Sequence, residues 1–129
     1  MIVVDYLQLV VGPRSESREQ SVAAVSRGLK ALAKELRVPV LALAQLNRAG
    51  RDKPTMENLR ESGGIEADAD IVMLLHRDEL VNRNSQRRGT ADVIFAKQRS
   101  AASEFSVALK FTNSCVRFDS LEYGGGENE

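Results

Sequence analysis

The sequence predicts an α/β fold: parallel strands joined by a crossover helix, followed by a C-terminal antiparallel β-meander. Three observations carry this. Residues 2–5 (IVVD) open the chain as a continuous apolar run ending on a carboxylate, the pattern of a strand covered on both faces. Val22, Val25, Leu29, Leu32 and Leu36 then recur at steps of three and four, one face of a helix, before a second apolar run, VPVLALAQ (38–45). Strands joined through a helix in this way pair in parallel, with a right-handed crossover. Finally, EFSVALKF (104–111) alternates Phe105, Val107, Leu109 and Phe111 with polar partners, so one of its faces is expected to be wetter, and Thr112-Asn113-Ser114 turns it into CVRF (115–118).

Local signals place each element. Gly12-Pro13-Arg14-Ser15 breaks the first strand, and Ser17 with Gln20 forms a capping box for the helix. Pro39 disfavours helix at Val38, so the second strand starts there. Residues 47–64 are polar and glycine-punctuated, a long loop enclosing a short helical segment near Met56–Arg60; such length marks a functional or mobile loop. ADADIVMLLHR (67–77) reads as a third strand, and the polar stretch NRNSQRRG (82–89) leads to ADVIFAKQR (91–99). Residues 1–119 are expected to form one domain and 120–129 a disordered tail. The sequence has no internal repeat.

Among 129 residues, Lys+Arg and Asp+Glu both number 18, so a nucleic-acid surface must come from local clustering and not from global charge. The single cysteine, Cys115, excludes an internal disulfide and is expected to be a small buried residue of a strand. No apolar run reaches the roughly 18 residues of a membrane span. Met1-Ile-Val-Val lacks a basic n-region and a cleavage site, so a cytoplasmic protein without membrane contact is expected.

In open parallel sheets, ligands bind beyond the carboxyl ends of strands. Asp5 ends the first strand and Gln45 the second. A carboxylate there suits Mg²⁺ held through water, and an amide can hydrogen-bond a phosphate. From these residues alone Asp5 serves equally well as a loop or helix cap, whereas Gln45 by itself reads first as the amide that starts a loop. Glu66, Asp68 and Asp70 have the spacing of a calcium-loop fragment but lack its other ligands and glycine, which favours solvated or capping roles. His76, the only histidine, follows a strand and reads as structural. Arg48, Arg51, Lys53 and Arg60 share the long loop, whereas Arg87 and Arg88 read as solvated charge. No aromatic residue lies between Tyr6 and Phe95, so a nucleic-acid contact in this region would follow the phosphate backbone without stacking on bases. Gly63-Gly64 would allow close backbone approach.

IVVDYLQLV, SRGLKALAKELRVPVLALAQLNR, DKPTMENLRESGGIEADADIVMLLHRDE and ADVIFAKQR, in this order, resemble consecutive C-terminal motifs of the DnaB-family replicative DNA helicases, over residues 2 to about 119. The resemblance implies part of a RecA-like P-loop NTPase core in a hexameric, ATP-dependent DNA helicase that translocates 5′-to-3′ on single-stranded DNA. It implies ATP and Mg²⁺ as cofactors, and other helicase protomers, a primase and a helicase loader as partners. Residue by residue, Asp5 matches the Walker B aspartate that organises Mg²⁺, and Gln45 the sensor of the γ-phosphate. Arg60, Glu61 and Gly63 match the loop that grips single-stranded DNA, with Arg48 nearby in the same basic loop. Lys97 and Arg99 match the arginine-finger pair that reaches a neighbour's ATP; two residues apart on a strand, their side chains share one face.

The sequence departs from the family pattern in four places. No G-x-x-x-x-G-K-[ST] occurs, and the glutamate that activates water lies upstream of the Walker B strand in the family. AGRDKPT shortens the loop after QLNR, and KQRSAAS lacks the glycine that follows the finger. The expectation is the C-terminal half of a motor domain, inactive alone. One alternative is a non-catalytic subunit that docks on intact helicase protomers. Another is a different RecA-like ATPase of the RadA or KaiC type, against which LRESG followed by IEADAD and AKQR argues.

Overall fold

The computed structural model describes residues 1–12, 17–47, 52–62, 64–100 and 104–121, with side chains at all of these except 60–62. Strand β1 (Ile2–Val4) and strand β2 (Val40–Ala42) pair in parallel, Ile2 opposite Val40 and Val4 opposite Ala42. Two further backbone bonds continue the pairing: Leu43 N–H donates to Val4 O at 2.9 Å, and Leu7 N–H to Leu43 O at 2.8 Å. Regular pairing stops there because the chain after β1 turns into a 3₁₀ segment, Leu7–Leu9. This is why β2 is shorter than the apolar run 38–45.

Helix α1 (Arg18–Leu36) joins the two strands. Its first turn is capped as the sequence predicts: Ser17 Oγ accepts the N–H of Gln20 at 3.2 Å. Val22 and Val25 are buried against Leu7, with Leu29 and Ile65 beside them. Leu36, predicted on the same buried stripe, is instead 52% exposed. The described part of the sheet is only two strands wide, and the helix stops one residue later at Arg37 in the left-handed conformation.

The predicted strand over 67–77 divides. Residues Ile65–Asp68 form a short helix, α2, and only Ile71–His76 form strand β3. β4 (Thr90–Gln98), β5 (Phe105–Thr112) and β6 (Arg117–Ser120) form the predicted antiparallel meander, and β3 joins their sheet by pairing antiparallel with β4. Leu74 faces Ile94 across the β3–β4 pair, and both are buried with Val72 beneath Leu59 of the preceding loop.

The opposite face of this sheet carries Ile71, Met73, Leu75, Phe105 and Val107, all exposed, with Phe95 and Phe105 stacked at 4.5 Å. At the Phe105 end of β5 both faces are exposed, Phe105 and Val107 on one and Ser106 on the other. Phe111, farther along, is buried beneath the Arg77 guanidinium, 3.8 Å from its ring centroid. Two sequence expectations fail here. Cys115 is exposed in the turn that precedes β6, because that strand starts only at Arg117. Arg87 is not free charge; it forms a two-bond fork on Asp92 at 2.7 and 2.6 Å, a pairing the fold makes by laying its loop back over β4.

Candidate functional site

The parallel register puts Asp5, one residue past β1, and Gln45, three past β2, at the carboxyl edge of the first sheet. Both are exposed. Sequence reasoning missed the residue that holds them in register. The Gln8 carboxamide accepts the N–H of Gln45 and donates to its carbonyl, each at 3.4 Å. Gln45's backbone is thus tied to a residue three past Asp5 in the chain, and its side chain is exposed at the edge. Only the position of Gln8 within DYLQL hinted at this.

From Gln45 the chain leads directly to the base of the long loop, and the loop is tied shut there. Asn47 N–H donates to Asn58 O at 3.1 Å, and Asn58 Nδ2 donates to Asn47 Oδ1 at 3.2 Å. Asn58 also receives the Thr55 N–H at 2.7 Å. Residues Met56–Ser62 form a 3₁₀ segment, matching the predicted helical turn, and buried Leu59 anchors it to the second sheet. Arg60 and Glu61 sit on this segment, next to α2, while Gly63 and Arg48 lie outside the described residues. Gly64 approaches a neighbour closely, but that neighbour is α1: a Cβ there would lie 2.9 Å from Ala23 Cβ and 3.2 Å from Ala23 Cα.

Lys97 and Arg99 lie elsewhere. Lys97 pairs with Val72 near the start of β3, and its Nζ donates to Glu66 O of α2. Arg99 falls just beyond β4; its N–H donates to Asp70 O at 3.0 Å, and its Nη1 lies 3.4 Å from Asp70 Oδ1. Asp70 also binds Lys30, in the second half of α1. These contacts, the Lys30 hydrogen bond foremost, hold the Asp70 carboxyl below the usual carboxylate range. Asp70 of the triplet Glu66, Asp68 and Asp70 is engaged by cations of the protein itself, and no group of three metal-ligating residues comes together among the described residues.

Helix α1 runs from the carboxyl end of β1 back to its amino end. Its first half packs on Leu7, at the carboxyl end of β1; its last turn leads into Pro39, whose carbonyl accepts the N–H of Ile2 at the amino end. Lys30 stands in the second half of α1 and, through Asp70, ties that helix to Arg99. A separate cavity of about 680 Å³ over the second sheet is lined by His76, Lys53, Arg87 and Asp92 among others, and by none of Asp5, Gln45, Lys97 and Arg99.

A family model described as the DnaB-like helicase C terminal domain matches residues 1–120. The chain belongs to this family. It is 51% identical over 126 residues to the replicative DNA helicase DnaB of Haemophilus influenzae, covering 94% of this chain and 27% of that protein. It is 48% identical over 128 residues to that of Geobacillus stearothermophilus, covering 95% of this chain and 28% of that protein. The chain thus spans about a quarter of the length of these curated relatives. A solved ATPase domain superposes with a TM-score of 0.86 at 38% identity, covering 93% of this chain and 44% of that one. A DnaB-like replicative helicase, solved in work on its interactions with primase, gives the same score and identity over 30% of its chain.

The DnaB-like family uses a nucleotide and Mg²⁺, and Asp5 fits the metal. A single exposed carboxylate at a strand end suits an ion that keeps most of its waters. No helix among the described residues is long and apolar enough to cross a membrane.

Proposed function

We propose that this chain supplies one half of the ATP-hydrolysing motor of a replicative DNA helicase, a hexamer that moves 5′-to-3′ along single-stranded DNA. Residues 1–119 form part of the RecA-like motor domain. Asp5 holds Mg²⁺ through water, and Gln45 hydrogen-bonds the terminal phosphate. Mg²⁺, when bound, neutralises charge on the phosphates. Arg60, Glu61 and Gly63, with Arg48 nearby, grip the backbone of the strand. The Asn47–Asn58 bonds support a direct mechanical link from Gln45 to that grip. Lys97 and Arg99 stabilise the transferring phosphoryl group of the neighbouring protomer; the guanidinium suits this because its planar fork stays charged. A primase and a helicase loader are the expected further partners.

The observation that carries this reading is that Asp5 and Gln45 stand at the carboxyl edge of the first sheet, whereas Arg99 stands just past β4 of the second. The sequence holds no P-loop, so the test uses a chimera in which residues 1–120 replace the matched segment of the Geobacillus stearothermophilus relative. Asp5→Asn and Arg99→Ala should each cut its ATPase to a small residual rate that single-turnover kinetics can still measure. Mixing the two variants in equal amounts should restore about a quarter of the full rate, because random mixing completes about that share of head-to-tail interfaces. Mixtures no more active than either variant would refute action across the interface.

A further inference from the structure

Asp70 is where three elements meet. It fills the step between α2 and β3, and its backbone carbonyl extends the β3–β4 ladder by one bond, fixing the main chain of Arg99 at 3.0 Å. Its two carboxylate oxygens are divided between two cations. Oδ2 takes Lys30, and Oδ1 faces Arg99 Nη1 at 3.4 Å. Stability is a poor account of this arrangement. Asp70 and Arg99 have side chains 56% and 59% exposed, and pairs in that setting contribute little to folding.

Orientation is a better account. A free arginine side chain samples many rotamers, and ordering it at the moment of reaction costs entropy. One carboxylate oxygen facing one terminal nitrogen aims the guanidinium while leaving its other N–H groups available. Lys30 keeps the carboxylate from turning away, and it stands on the helix whose first half packs against Leu7, two residues past Asp5.

We propose that Asp70 is the positioning residue for Arg99, held in place by Lys30. This rests on the reading of Arg99 as the group that reaches the neighbouring nucleotide. Asp70 touches no substrate itself; it pre-sets the guanidinium and releases it to a phosphate, the stronger, doubly bonding partner.

The test is steady-state ATPase of the same chimera carrying the full chain. Asp70→Asn should lower kcat about tenfold with KM for ATP unchanged within about twofold, the pattern of an interaction made only in the transition state. Asp70→Glu should recover most of the loss, and Lys30→Met should lower kcat in the same direction by less. On an Arg99→Ala background, Asp70→Asn should cause no further fall. An unchanged kcat in Asp70→Asn, or an equal fall with and without Arg99, overturns the positioning role while leaving the finger intact. If Arg99→Ala alone leaves kcat unchanged, the finger reading fails and this inference falls with it.

Discussion

Replacing Gly64 by alanine tests how the loop that carries Arg60 and Glu61 is seated. Gly64 has an ordinary backbone conformation, φ −121°, so the substitution brings no backbone strain. The cost is steric: the new methyl group would stand 2.9 Å from Ala23 Cβ, on a helix that cannot yield locally. Either α2 lifts from α1 or the overlap persists, and overpacking of this kind costs about 1–3 kcal/mol. Ala23→Gly removes the opposing methyl and costs about 1 kcal/mol by weakening the helix interior. Combined, the two changes should cost less than their sum by about 1 kcal/mol or more, because the second relieves the overlap made by the first. Urea unfolding of the chain, followed by circular dichroism, measures all four corners of this cycle. Strict additivity would refute the close approach of α2 to α1.

Two further outcomes are expected. Leu74→Ala should lower unfolding free energy by about 2–5 kcal/mol in the same urea assay, since Leu74 is 3% exposed among Leu59, Val72 and Ile94. Glu79 is held below its ordinary range by its bond to Arg77 first, and then by the Gly89 N–H. Its contribution is therefore fully present above the ordinary glutamate pKa of about 4 and is lost as pH falls through the lower folded value. Glu79→Gln should accordingly flatten the acid limb of the stability profile and leave its slope near neutral pH unchanged.

What could be read from the sequence was what neighbouring residues decide. Ser17 and Gln20 cap a helix within one turn, and the 3₁₀ turn at Met56 and the β-meander followed from local pattern in the same way. Four-residue α2 is too short to show a period of its own, so it vanished into the apolar run that follows it. Cys115 was misplaced because CVRF is short and mostly apolar like a strand, whereas the turn before β6 extends through Val116. The contacts that organise the candidate site join distant residues: Gln8 to Gln45, and Asp70 to both Lys30 and Arg99. Each of these partners alone looked like an ordinary surface polar group. The third dimension brings them together, and no periodicity records that.

That Asp5 and Gln45 follow strands of one sheet and Arg99 a strand of the other has a consequence for counting. On the proposed reading, each copy offers an acceptor edge to one neighbour and a donor edge to the other. An open row of n copies then holds n−1 complete centres, its last acceptor facing nothing, and closure into a ring completes the nth. Output per copy depends on how the copies are joined as well as on how many there are. A short row wastes the largest share, and the closing contact adds a working centre without adding a molecule.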